Sequence, residues 1–133
     1  MIPGFGTVAR VSSTEDLPQL DATVATTRLD DGTHVLAVRG ELDLYSTPQL
    51  TAEIEAIAGE PGHVVVDLSE VSFMDSTALG AILLAARRLR DANRRLALVS
   101  PVASTTKLLT MVGIDRVVPV VESPEQALER LRA

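Results

Sequence analysis

The sequence predicts a single α/β domain, a mixed and mostly parallel five-stranded sheet with about four helices in the element order ββαβαβαβα. Short aliphatic runs at residues 64–68, 96–99 and 117–121 alternate with longer amphipathic segments. Buried parallel strands joined by crossover helices produce this alternation. Asp30-Asp31-Gly32 separates two β-branched, alternating stretches and reads as a hairpin turn. With 46% hydrophobic but only 2% aromatic residues, the core must be built from Val, Leu, Ile and Ala, and 133 residues suffice for one such core.

Residues 1–20 mix Pro, Gly, Ser and Thr without periodicity and read as a flexible N-terminal arm, leaving 21–133 as the folded domain. The first two strands fall at 22–29 and 33–39. Three helix starts then share one device: Thr47-Pro48, Ser100-Pro101 and Ser123-Pro124 each pair a capping hydroxyl with a proline at the first helical position. The first helix carries Leu50, Ile54, Ile57 and Ala58 and stops near Gly59-Glu60-Pro61-Gly62. The helix begun by Ser100-Pro101 runs to about Val112, with Gly113 as its left-handed terminator. The last helix shows Ala127, Leu128 and Leu131 on one side. Capping accounts for the serines before proline, so they are not modification candidates.

Several function classes are excluded. The chain has no cysteine, and His34 and His63 lie on different elements, so neither a metal centre nor a cofactor is expected. The longest uncharged stretches, 76–86 and 96–106, fall short of the roughly 20 residues of a membrane-spanning helix. No basic segment followed by an apolar run opens the chain, which makes a cytoplasmic location the expectation, with no membrane insertion. A net charge of −6 argues against nucleic acid. Arg87, Arg88, Arg90, Arg94 and Arg95 gather at the end of the central helix, where cations complement its dipole.

The decisive stretch is Val71-Ser72-Phe73-Met74-Asp75-Ser76-Thr77-Ala78-Leu79-Gly80. The strand at 64–68 runs into a short loop, and an apolar helix over 75–93 opens with Asp75-Ser76. A hydroxyl at a helix N-terminus sits where backbone N–H groups and the macrodipole favour added negative charge. Ser76 is therefore either the cap of this helix or a phosphate acceptor; if Asp75 is the cap, the Ser76 hydroxyl is left free. The surroundings are not a Gly-x-Ser-x-Gly elbow, and neither histidine is identified as a base, so a catalytic serine is not expected. Leu79, Ile82, Leu83, Ala86 and Leu89 form the core stripe of the helix. Thr77, Gly80, Ala81, Leu84 and Arg88 form the opposite side, uncharged apart from Arg88. Such a helix is either buried all round or docks a partner, and Ser76 at its border favours the partner. Gly40-Glu41-Leu42-Asp43 reads as a loop after the second strand. Its acids are solvated there, unless the loop lies beside Ser76, where Asp43 would face a cation on a partner.

Gly40-Glu41-Leu42-Asp43, Val64-Val65-Val66-Asp67-Leu68 and Phe73-Met74-Asp75-Ser76-Thr77-Ala78-Leu79-Gly80, with Ser100-Pro101 and Met111-Val112-Gly113-Ile114, together resemble the STAS domain. The match is to the stand-alone anti-sigma-factor antagonists of bacteria and covers roughly residues 22–132. The resemblance implies a STAS-like sheet flanked by helices and a partner-switching role. An ATP-bound anti-sigma serine kinase would bind the unmodified protein, free a sigma factor, and phosphorylate Ser76; a phosphatase would reverse the modification. It also implies that Asp43 contacts the kinase and that Asp75 borders the acceptor, in a monomer or weak dimer. The usual motif is Asp-Ser-Ser-Gly-Leu-Gly, whereas Thr77 and Ala78 stand here at its third and fourth places. Thr77 offers a second hydroxyl, and the Ala78 methyl is expected near the docking surface. Other roles known for this fold are a regulatory subunit of a membrane lipid-transport ATPase complex and a ligand sensor. The Asp75-Ser76 pair disfavours the first, and the lack of a Gly-rich phosphate loop disfavours the second.

Overall fold

The computed structural model describes residues 22–133; the arm expected over residues 1–20 lies outside them. Strands β1 (Ala22–Arg28) and β2 (His34–Leu42) form the antiparallel hairpin. They are followed by α1 (Thr47–Ala58), β3 (Val64–Met74), α2 (Ser76–Asp91), β4 (Leu96–Val99) and α3 (Ala103–Met111). A 3-10 turn (Ile114–Arg116), β5 (Val120–Val121) and α4 (Pro124–Arg132) complete the domain. The sheet order is β1-β2-β3-β4-β5, with β2 to β5 parallel, which is the expected class and element order.

Alternation along the strands sends Leu36, Val38, Val64, Val66, Leu68 and Leu98 to one face, where Leu50, Ile54, Ile82, Leu89 and Leu109 of α1, α2 and α3 cover them. Val65, Ala97, Val99 and Val121 point to the other face and pack on Ala127 and Leu131 of α4. Each fully buried Leu or Ile stabilises the fold by about 1.5–3 kcal/mol. The core of the described residues is aliphatic, as the composition requires.

The hairpin turn is held by Asp31, whose Oδ1 accepts from the Thr33 backbone N–H at 2.9 Å. It packs on the loop entering β3: at Gly62 (φ +117°) a Cβ would lie 2.0 Å from the Gly32 carbonyl oxygen, so only glycine fits. His34 and His63, distant in sequence, are neighbours here. The His34 N–H donates to the His63 carbonyl, the His34 ring contacts the Pro61 carbonyl, and His63 Nδ1 accepts from the Arg95 N–H.

The strands differ from the sequence expectation at the end that carries the site. β2 does not stop at Arg39 but continues through Gly40-Glu41-Leu42, and β3 runs on to Met74 in place of the expected loop. β4 leaves β3 at Asp67, so beyond that point β2 and β3 form a two-stranded extension. Register shifts at Ala37/Arg39 and Gly40/Glu41, with Gly40 at φ +98°, bend it. Exposure interrupts the hydrophobic pattern of this stretch, and that interruption imitates a loop. At the opposite edge β5 is shorter than expected, because Ile114–Arg116 closes into a 3-10 turn first.

Of the three hydroxyl-proline starts, Ser123 behaves as expected, its side chain accepting from the Gln126 N–H. Thr47 is already helical, and Ser46 before it makes no side-chain capping bond, its hydroxyl being held by the Asp43 N–H and the Glu41 carbonyl. Ser100 is not a cap: its N–H is drawn into the sheet by the Val121 carbonyl, so α3 starts only at Ala103. Its hydroxyl pairs with Thr106 Oγ1 at 2.9 Å. Gly113 is left-handed at φ +83°, as the terminator reading requires. Arg94 does more than complement its own helix. Its guanidinium donates to the carbonyls of Gly62, Ala58 and Ile57 at 2.6, 2.7 and 3.3 Å, closing the C-terminal end of α1.

Candidate functional site

The two-stranded extension decides what meets at the site. Leu42 is registered against Met74, and the Asp75 N–H donates to the Leu42 carbonyl at 3.1 Å. Asp43 and Asp75, 32 residues apart, therefore leave adjacent parallel strands side by side, at roughly the 4.8 Å spacing of paired strands. The parallel pairing brings the expected Asp43 loop to the start of α2.

Asp75 is the cap of α2. Its backbone is extended (φ −110°, ψ −176°), and its Oδ1 accepts from the N–H groups of Thr77 and Ala78 at 2.9 and 3.1 Å. Ser76 is the first helical residue, exposed, and its hydroxyl takes no part in capping. Of the two roles open to Ser76, capping falls to Asp75. The carboxylate also occupies two of the donors that would otherwise receive an anion at this helix end.

Of the expected α2 stripe, Leu79, Ile82, Ala86 and Leu89 are buried and Leu83 is half-buried; Ala78 and Ala85 join them in the core. On the other side Thr77, Gly80, Leu84 and Arg88 are exposed and Ala81 is half-buried, so the helix is not buried all round. Ala81, Leu84 and Ala85 face Thr51, Ile54 and Glu55 of α1 across a shallow groove, closed at one end by the Arg88–Glu55 ion pair. The bond to Glu55 raises the Arg88 pKa above its ordinary value. No Cβ placed on Gly80 would meet anything within 4 Å, so this turn of the face is open.

One expectation is corrected. Ala78 is fully buried, so its methyl packs in the core and not at the docking surface. Of the two motif departures only Thr77 is exposed.

Leu44 and Tyr45, at the tip of the β2–α1 loop, are not among the site residues expected from the sequence, yet they are 59% and 81% exposed. Phe73, registered against the exposed Glu41, is 50% exposed at the same end of the sheet. A signal for them existed: a chain with one tyrosine and two phenylalanines places two of these three next to its acidic motifs. The site thus combines exposed apolar groups with the acids Glu41, Asp43 and Asp75. Among the described residues no group of three or more His, Asp or Glu is arranged to hold a metal ion, and no helix is long and apolar enough to cross a membrane.

Comparison with known proteins identifies the family of this fold. The STAS domain family model matches residues 24–127. The anti-sigma-B factor antagonist of Listeria monocytogenes is 32% identical over 92 residues, covering 68% of this chain and 81% of that protein. The anti-sigma-F factor antagonist RsfB of Mycobacterium tuberculosis is 28% identical over 113 residues, covering 84% of this chain and 92% of that protein. Among solved structures, an anti-sigma factor antagonist from Mycobacterium paratuberculosis superposes with a TM-score of 0.78 at 26% identity, over 84% of this chain and 95% of that one. The phosphorylated form of the Bacillus cell-fate determinant SpoIIAA superposes with a TM-score of 0.65 at 25% identity, over 83% of this chain and all of that one. With the matched segment spanning the sheet, the helices and the Asp75-Ser76 turn, the chain belongs to the STAS domain family.

Proposed function

We propose that this protein is an anti-sigma-factor antagonist, a regulatory and non-catalytic partner switch controlled by phosphorylation of Ser76. Unmodified, it binds an ATP-bound anti-sigma serine kinase and so releases a sigma factor; phosphorylated, it no longer binds, until a phosphatase restores it. The observation that carries this reading is the division of labour at the start of α2: Asp75 caps the helix, and Ser76 stands exposed beside an uncharged helix face. Similarity to anti-sigma-factor antagonists, and to SpoIIAA solved in its phosphorylated form, supports it. In this reading Asp43, Asp75, Ser76, Thr77, Gly80, Ala81 and Leu84 form the docking surface. Thr77 is the secondary acceptor.

The switch follows from charge. A phosphate adds about −1.5 to −2 units at neutral pH, beside a carboxylate that already holds the nearest N–H donors. On the free protein water screens that charge; in an interface it must be desolvated. A penalty of about 3 kcal/mol weakens binding more than a hundredfold. The test is to incubate the protein with candidate anti-sigma kinases and ATP and to map phosphate by mass spectrometry. Phosphate on Ser76, absent from Ser76→Ala, together with loss of kinase binding on modification, is expected. Transfer to no residue with any candidate, or unchanged binding by the phosphorylated protein, refutes the reading.

A further inference from the structure

We propose that Leu44 and Tyr45 are the apolar anchor of the kinase interface, and that Asp43 acts on binding as a positioning residue that holds this anchor in place. The inference rests on the proposed kinase partnership and adds to it a recognition element outside α2. Three observations converge on it.

The first is where the aromatic side chains are. The core of the described residues is aliphatic, while Tyr45 and Phe73 stand on the surface at the end of the sheet that carries Ser76. Tyr45 is 81% exposed and Leu44 59%, so neither contributes packing that would explain its presence. Exposed aromatic and aliphatic groups in a well-ordered setting are typical of the few residues that dominate an interface.

The second is that this loop tip is fixed from beneath. Asp43 Oδ1 accepts from the backbone N–H groups of Tyr45 and Ser46, both at 2.9 Å. Ser46 Oγ accepts from the Asp43 N–H at 2.9 Å and donates to the Glu41 carbonyl at 2.6 Å. The Thr47 N–H closes on the Asp43 carbonyl at 2.9 Å. Backbone and side-chain bonds thus lock the residues on either side of Leu44, and two apolar side chains project from a preorganised turn. Preorganisation lowers the ordering cost of association, so these side chains bind at little entropic expense. The Asp43 carboxylate holds this turn, so its influence on a partner passes through Leu44 and Tyr45.

The third is continuity. Leu42 is registered against Met74 and bonded to Asp75, so the tip begins two residues beyond the strand that adjoins the Ser76 turn. The anchor, the acceptor and the open α2 face lie around one sheet end, with Glu41 and Asp75 as the acids that meet the partner. The complementary partner surface is an apolar pocket with a rim of Lys or Arg.

The experiment measures, by calorimetry, the affinity of the kinase that phosphorylates the wild-type protein for four variants: Tyr45→Ala, Asp43→Ala, Asp43→Asn and the Asp43→Ala/Tyr45→Ala double variant. Tyr45→Ala should bind about thirtyfold more weakly while its thermal unfolding is unchanged, because the side chain is exposed. Asp43→Ala should lose a similar factor. Asp43→Asn, whose side-chain oxygen still accepts the two N–H bonds, should rescue binding to within about threefold. The double variant should be no more than about threefold weaker than either single variant. Wild-type affinity for Tyr45→Ala overturns the proposal. So does an Asp43→Asn variant as weak as Asp43→Ala with a flattened salt dependence, which identifies a direct charge contact instead. Absence of any kinase that binds the wild type fails at an earlier step, and overturns the functional reading together with this one.

Discussion

Phosphorylation of Ser76 should leave the fold almost untouched, and the structure allows that expectation to be worked through. The perturbation is a phosphate on the first residue of α2, introduced enzymatically, with Ser76→Asp as a milder mimic. Its attraction to the helix N-terminus stabilises by about 0.3–1 kcal/mol. Asp75 opposes it, because its carboxylate has already taken the Thr77 and Ala78 N–H groups. Two unit charges about 4 Å apart in water repel by about 1 kcal/mol, and the phosphate raises this to about 1.5–2 kcal/mol before salt screening. The sum is a destabilisation of about 0.5–1.7 kcal/mol before screening, a fall in Tm of about 2–7 °C for a domain of this size. Thermal unfolding by circular dichroism at low and physiological salt measures it, and the fall should shrink as salt rises. A loss of more than about 8 °C, or loss of helical signal at 25 °C, would refute the reasoning, because the switch would then act by unfolding α2.

Other outcomes test the surrounding structure. Gly80→Ala places a methyl where nothing lies within 4 Å, so urea unfolding should show a gain of about 0.5–1 kcal/mol while kinase affinity falls, since the methyl stands on the docking face. Arg94→Met leaves the Gly62, Ala58 and Ile57 carbonyls without their cation and should cost about 1.5–3 kcal/mol in the same assay. The Asp31 carboxyl is lowered from 3.8 to about 2, chiefly by the Thr33 backbone N–H and then by Arg132. Its folded pKa lies below the unfolded one, so its contribution is complete above about pH 4 and is lost as pH falls towards 2. Asp31→Asn should therefore flatten the acid limb of the stability curve in that window and leave its slope above about pH 5 unchanged.

The amino-acid sequence by itself determined the class of fold, because the hydrophobic period changes cleanly between strands and helices and the aliphatic core has few ways to be covered. Asp75-Ser76 at the mouth of an apolar helix, and the uncharged line from Thr77 to Leu84, were equally legible, since both are local features of one helix. What lay beyond reach involved partners distant in the chain. Ser69, Glu70 and Ser72 read as loop, and only pairing with β2 makes them strand. Ser100 resembled a cap until Val121 claimed its N–H, and Arg94 resembled a dipole complement until three carbonyls of another segment claimed its guanidinium. The burial of Ala78, the choice of Asp75 over Ser76 as the cap, and the meeting of Asp43 with Asp75 were likewise decided by tertiary structure. Local periodicity reports which side of an element is apolar, whereas hydrogen bonds and register between residues 32 positions apart decide which two ends come together.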